Sequence, residues 1–94
     1  MDSNGYNANL LGSDDGKCWL CGAVGDTARH EIFRGTNRAN SKKYGLWVAV
    51  CPRCHRLLHT KDYEEEMHRI GQTIYQNTGA TKEEFRAIFG KSYL

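Results

Sequence analysis

Two identical cysteine pairs are the residues of this chain best suited to chemistry: Cys18-x-x-Cys21 and Cys51-x-x-Cys54, with 29 residues between them. Two residues between sulfurs allow a tight chelating turn. Two such turns complete a tetrahedral shell of four thiolates, the ligand set of a structural zinc ion. The pairs account for all four cysteines of the chain. A thioredoxin-like redox pair is the competing use of the motif, but that needs a single pair in a βαβ setting, and here the pair is duplicated without one. A closed four-thiolate shell keeps no open coordination position, so this zinc is expected to stabilise the fold and perform no chemistry.

Histidines form a second constellation. His55 directly follows Cys54 and His59 lies four residues further on. On a helix the two share a face and can hold one metal ion or one phosphate. Zinc tying Cys21 to Cys54 would also draw His30 and its neighbour Glu31 toward that face, giving a cluster of His30, Glu31, His55 and His59. His55 has a second possible role, as a neutral hydrogen-bonded neighbour of the zinc site. His68 has no partner in the pattern and reads as structural.

Charge is distributed unevenly. The net charge is only +2, yet Arg29, Arg34, Arg38, Lys42, Lys43, Arg53, Arg56 and Lys61 lie in one stretch with Glu31 as its single acid. A compact basic segment in an otherwise acidic chain fits a polyanionic partner, most simply nucleic acid, or else a solvated basic loop. No apolar run approaches the length of a membrane span. The first residues lack the basic start and apolar stretch of a secretory signal, so a reducing cytosol, where paired cysteines favour metal, is the expected setting.

The elements that must position these groups follow from pattern. At 94 residues the chain is expected to be one small domain whose core benefits from a staple. Residues 1–16, rich in Gly, Asn and Asp, read as a flexible tail, leaving 17–94 as the folded unit. Residues 28–33 and 46–50 read as two strands, with a polar loop over 35–43 between them. Pro52 suits the first turn of a helix that would carry Cys54, His55, Leu58 and His59. Asp62 with Glu65 has the form of a capping box, and Tyr63, Met67, Ile70 and Ile74 recur at helical spacing behind it. Thr81 with Glu84 is a second such box, leading a short helix of Phe85, Ile88 and Phe89 that Gly90 ends. Trp47 reads as core, although it and Tyr44 could also stack on bases.

In this order the residues resemble the HNH nucleases. The resemblance rests on Arg29-His30-Glu31-Ile32-Phe33-Arg34-Gly35, then Arg38 and Ser41, then Tyr44-Gly45-Leu46-Trp47-Val48 and Cys51-Pro-Arg-Cys-His55-x-x-x-His59. The stretch from Lys17 to Leu94 is similar to small HNH-like proteins of bacteriophages and prophages, cytoplasmic in the bacterial host. The resemblance implies an α+β fold: a zinc-stabilised ββα-metal core, treble-clef-like, with two additional C-terminal helices. It implies a metal-dependent endonuclease that hydrolyses DNA phosphodiester bonds to 5′-phosphate and 3′-hydroxyl ends. By the same resemblance His55 and His59 would hold a catalytic divalent ion, Mg²⁺ or another. His30 would act as general base with Glu31 as ligand or orienting group, because imidazole titrates near neutral pH. Strict register reverses these two roles. Arg34, Arg38, Lys42, Lys43, Arg53 and Arg56 would track the phosphate backbone without reading sequence. The sequence departs from the family at Leu46, where a middle asparagine is usual, and Asn37 or Asn40 could substitute. That departure keeps open a non-catalytic zinc module that binds nucleic acid, or a protein-interaction module of a phage.

Overall fold

The computed structural model describes residues 2–94. It is a small α+β domain: strand β1 (Ala28–Glu31), a 3-10 turn (Gly35–Asn37), α1 (Arg38–Lys43), β2 (Trp47–Val50), α2 (Pro52–Leu58), α3 (Lys61–Gln76) and α4 (Lys82–Phe89). The two strands pair antiparallel, with His30 opposite Val48 and Glu31 opposite Trp47. Side chains alternate across a pleat, so His30, Ala28, Val48 and Val50 share one face while Arg29, Glu31, Trp47 and Ala49 share the other. Among the described residues no helix is long and apolar enough to cross a membrane.

The core lies between the sheet and the helices. Phe33, Leu46, Val48, Val50, Leu58 and Phe85 are fully buried, and the rings of Phe33 and Phe89 lie 4.6 Å apart. Helix α3 approaches Ile32 and Phe33 through Gly71: a Cβ there would sit 2.9 Å from Ile32 Cγ2. The expected stripe on α3 holds at Met67 and at Ile70, which packs partly buried against the core, but not at Tyr63. Met67 and Gly71 are buried, whereas Tyr63 is 42% exposed. Gln72 is buried beside them; its Oε1 accepts the Tyr93 N–H at 2.7 Å, and its amide donates to Ser92 Oγ at 3.0 Å. This anchors the C-terminal residues to α3.

Two expectations about local structure are corrected and a third holds. The polar stretch after β1 is not a loop but a 3-10 turn and a helical turn and a half, closed around Ser41. The Ser41 hydroxyl is buried, donates to Phe33 O at 2.7 Å and accepts from Phe33 N at 2.9 Å, so one side chain satisfies both backbone groups of a core residue. Helix α3 starts one turn's edge earlier than the Asp62 box implies. Extended Thr60 is its N-cap, and Asp62 and Glu64 add negative charge to the first turn, where the helix dipole favours it. The Thr81 box is present, with Glu84 N–H donating to Thr81 Oγ1 at 3.1 Å, and Gly90 ends α4 at φ 90°.

The largest correction concerns residues 2–16, which are not a detached tail. They run along the edge of β2 that β1 leaves free. Leu10 N–H donates to Gly45 O at 2.9 Å, the Asn9 amide donates to Trp47 O, and Ala49 N–H donates to Ser13 Oγ at 2.8 Å. Side chains of Asn9 and Ser13 thus do what a third strand would do, quenching an edge that would otherwise expose unpaired groups. Only part of this pairing is backbone to backbone and the rest is made by polar side chains, so the segment carries no hydrophobic alternation.

Candidate functional site

The two cysteine pairs converge. Residues 17–24 fold as a knuckle, with Lys17 bridged to Val24 and Cys18 N–H donating to Ala23 O at 2.8 Å. The second pair sits at the start of α2, Cys51 as its extended N-cap and Pro52 in its first turn. The four sulfurs lie within 4.8 Å of one another, and Cys21 Sγ is 3.9 Å from Cys51 Sγ. Tetrahedral zinc with Zn–S of about 2.3 Å requires sulfurs about 3.8 Å apart, so this group can hold a metal such as zinc. Its electrostatics suit a cation. Burial opposes ionisation of the Cys18 thiol, but backbone N–H groups overcome it and hold the thiol down at about 6; burial and the neighbouring sulfurs push Cys54 up to about 12. Crowded sulfurs cannot all ionise together unless a positive ion joins them.

The histidines form a second, separate group. His30 projects from β1 toward α2, which carries His55, and His59 is the residue that ends that helix. Ring centroids are 5.4 Å apart for His30 and His55, 5.2 Å for His30 and His59, and 4.8 Å for His55 and His59. One ring nitrogen from each lies within 4.8 Å of the other two. The trio is graded from buried His30 through half-buried His55 to exposed His59, so it opens to solvent at one side. Burial, with His55 and His59 alongside, pushes His30 down to about 4, and burial also lowers His55. Neutral imidazoles are the form that binds metal, so the donor set fits an ion.

Glu31 does not join the trio. It faces the other side of the sheet, where Tyr6 Oη donates to its Oε1 at 3.1 Å and Arg38 Nε lies 3.8 Å from the same oxygen. It remains close enough that its charge opposes the fall at His55. Asn37 and Asn40 are occupied elsewhere: their amides donate to Phe89 O at 3.0 Å and Ile88 O at 3.1 Å, capping α4. Neither stands in for the middle asparagine, and Leu46 at that position is fully buried.

The basic residues separate into groups. Arg34 spans two elements, with Nη1 2.5 Å from His59 Nδ1 and Nη2 donating to Glu64 Oε2 at 2.8 Å. It borders a cleft with Asn37, Arg38, Glu64, His68 and Tyr93. Arg38, Lys43 and Arg56 are exposed. Lys42 Nζ lies 4.8 Å over the Tyr6 ring, and Arg53 is turned to Cys21, whose sulfur raises the guanidinium pKa. Arg29, part of the basic stretch, is withdrawn from it: it pairs with Asp2 and Asp15, each at 2.6 Å, and lies over the rings of both Tyr6 and Trp47. His68 stacks on Phe33 with centroids 5.1 Å apart, a structural role. Tyr6 is a site neighbour that spacing gave no means of finding, since it reaches Glu31 across 25 residues.

Compared with protein-family models, curated proteins and solved structures, the chain matches none.

Proposed function

We propose that the chain is a metal-dependent endonuclease of the HNH kind, nicking or cutting DNA in a bacterial host. The observation that carries this reading is the convergence of His30, His55 and His59 on a strand and the following helix, apart from the four-cysteine group. The succession β1, β2, α2 supports reading this part as a ββα-metal core, with α3 and α4 as the additional helices. In this reading Cys18, Cys21, Cys51 and Cys54 hold structural zinc, and the imidazole trio holds the second ion. An all-imidazole set suits Ni²⁺ or Zn²⁺ better than Mg²⁺. The ion, when bound, supplies stabilisation of the charge that builds on the phosphate and leaving oxygen.

Giving all three imidazoles to the ion moves His30 from base to ligand, and Glu31, on the opposite face of the sheet, is not placed to act as base there. The attacking water gives one proton to bulk solvent as its oxygen bonds to phosphorus. The bond to the 3′ oxygen breaks, and that oxygen leaves with a proton from solvent. Arg34, in contact with His59, would supply phosphate contacts at the exposed edge of the trio, with Arg38 bordering the same cleft as Arg34.

A plasmid-nicking assay with Mg²⁺, Mn²⁺ and Ni²⁺ tests this. Nicking by wild type, lost in His30→Ala and His59→Ala with zinc content unchanged, supports it. The second reading, a non-catalytic zinc module, is favoured by the buried Leu46 at the asparagine position. Salt-sensitive DNA binding without cleavage in any of the three ions would establish it instead.

A further inference from the structure

Resting on DNA as the partner, we infer that the face built by α3 and the C-terminal residues 90–94 carries a bound strand away from the histidine trio, with Arg38 and Lys91 as phosphate contacts. Two clefts lie in series on this face. The first has a volume of about 480 Å³ and is bordered by Arg34, Asn37, Arg38, Glu64, His68 and Tyr93. The second, of about 460 Å³, is bordered by Glu65, His68, Arg69, Lys91, Ser92 and Tyr93. His68 and Tyr93 belong to both walls and so form the ridge between them. The near end starts at the trio, because Arg34 touches His59. One strand of DNA carries a phosphate for about every 3.4 Å of helix axis, so a strand crossing the ridge presents phosphates to both clefts.

The cations on these walls differ in how far they are committed. Arg34 is held by His59 and Glu64, and Arg69 by Glu66 at 2.7 Å. Arg38 is 62% exposed and approaches Glu31 only at 3.8 Å. Lys91 is exposed, and among the described residues no carboxylate comes within 4 Å of it; its Nζ lies 4.9 Å from the Tyr93 ring centroid. Arg38 and Lys91 are thus the charges free to take a phosphate, against Glu65 as the one unpaired acid on the walls among the described residues. Elsewhere in the basic stretch, Lys42 lies over the Tyr6 ring and Arg53 is turned to Cys21, which favours this face over a path along that stretch. The segment bearing Lys91 is also fixed. Gly90 turns out of α4 at φ 90°, Gln72 Oε1 accepts the Tyr93 N–H, and the Tyr93 ring packs on His68 at 4.5 Å and Phe33 at 5.3 Å. A cation on a fixed segment meets phosphate at a lower ordering cost than one on a loose end. Such contacts hold the strand in register without reading its sequence.

The test is binding of a fluorescein-labelled DNA duplex of two helical turns to the full zinc-loaded chain, read by anisotropy over a series of KCl concentrations. No Mg²⁺, Mn²⁺ or Ni²⁺ is added, so no strand is cut. The variants are Arg38→Gln, Lys91→Gln and the double variant, with Lys82→Gln as control, an exposed lysine of α4 that borders neither cleft. Each single variant is expected to reduce the slope of log K against log salt by about one, and the double variant by about two. Lys82→Gln should keep the wild-type slope. A wild-type slope in either Arg38→Gln or Lys91→Gln overturns the assignment. So does an equal reduction in Lys82→Gln, which would show a response to net charge alone. Failure of the wild type to bind the duplex even at low salt overturns DNA as the partner and this face with it, a result distinct from either of these.

Discussion

His30 and His55 meet edge to face with ring centroids 5.4 Å apart and planes at 78°, although one belongs to a strand and the other to a helix. The contact is set by what lies next to each. His55 follows Cys54, whose sulfur is tied into the four-cysteine group, while Val48 fixes His30 across the sheet. Two ligand groups therefore share one turn of α2 but point to different sides of it.

The two groups should consequently be separable. Metal-depleted protein is expected to take up one ion tightly at the thiols and a second, weaker one at the imidazoles. With Co²⁺, the first gives intense thiolate charge-transfer absorption and the second only weak d–d bands. In His55→Ala the second phase should vanish while the first keeps its intensity. Loss of both phases would mean that His55 serves the thiol site.

The buried imidazole gives a signed pH effect. Unfolded His30 takes up its proton near the ordinary value of 6.5, and folded His30 only at about 4. Between these values the unfolded chain binds more protons. The stabilisation is thus intact above 6.5 and is lost as pH falls toward 4. The urea midpoint of wild type should fall between pH 6.5 and 5, and fall less in His30→Gln. Ring resonances of wild-type His30 should stay those of neutral imidazole over the same range; full titration near 6.5 would remove the basis for the effect.

The parts of this molecule legible in sequence are those written in local spacing. The Cys-x-x-Cys turns, the i,i+4 histidines, Pro52 at a helix start and the Thr81–Glu84 box each depend on residues within one turn of one another. The unread parts are fixed by distant contacts. Nothing near Ser41 announces that its hydroxyl will close on Phe33, and nothing near Asn9 announces Trp47 O. Sequence adjacency suggests Glu31 beside His30, yet strand alternation sends the two side chains to opposite faces.

Gly45 lies directly against the N-terminal segment. Its φ is 72°, and a Cβ there would lie 2.2 Å from Ala8 O. Gly12 has a similar φ of 69° with no atom within 4 Å of the added carbon. Gly12→Ala should cost only the strain of a left-handed residue, about 1 kcal/mol. Gly45→Ala should cost more, about 2–4 kcal/mol, by driving Ala8 from β2. Thermal melts compare the two, at roughly 4–8 °C per kcal/mol for a chain of this size. Limited proteolysis should cut the first residues of Gly45→Ala and spare those of Gly12→Ala. Equal melts would show that residues 7–10 contribute no more than their own conformation.

Ser41→Ala removes a hydroxyl that satisfies two buried backbone groups. No water can replace it at a fully buried position, so both the N–H and the C=O of Phe33 lose a partner. The expected loss is about 2 kcal/mol, read from urea denaturation. Ser41→Cys keeps the volume but bonds weakly, and should recover only part of it.

Removal of the thiol-bound ion should have the largest effect of all. Each strand is only four residues long, and the sheet has two. Paired strands of that size are marginal by themselves. The knuckle over residues 17–24 and the start of α2 meet through sulfurs, with Cys18 and Cys54 both about 1% exposed, so an ion held there would close the core at that end. Binding of a structural zinc contributes on the order of 10 kcal/mol, comparable to the whole stability of a small domain, so the metal-free chain should be largely unfolded at 25 °C. Purified protein is expected to hold one tightly bound zinc, and strong chelation at neutral pH should abolish both the helical circular dichroism and the cooperative melt. Cys54→Ser should do the same without chelator, whereas Cys21→Ser, at the exposed side of the group, should leave a weakened three-thiolate site that excess zinc refolds. A metal-free chain with an unchanged melt, its thiols reduced, would show that packing alone holds β1 against α2, and the positioning of His30 would then need another cause.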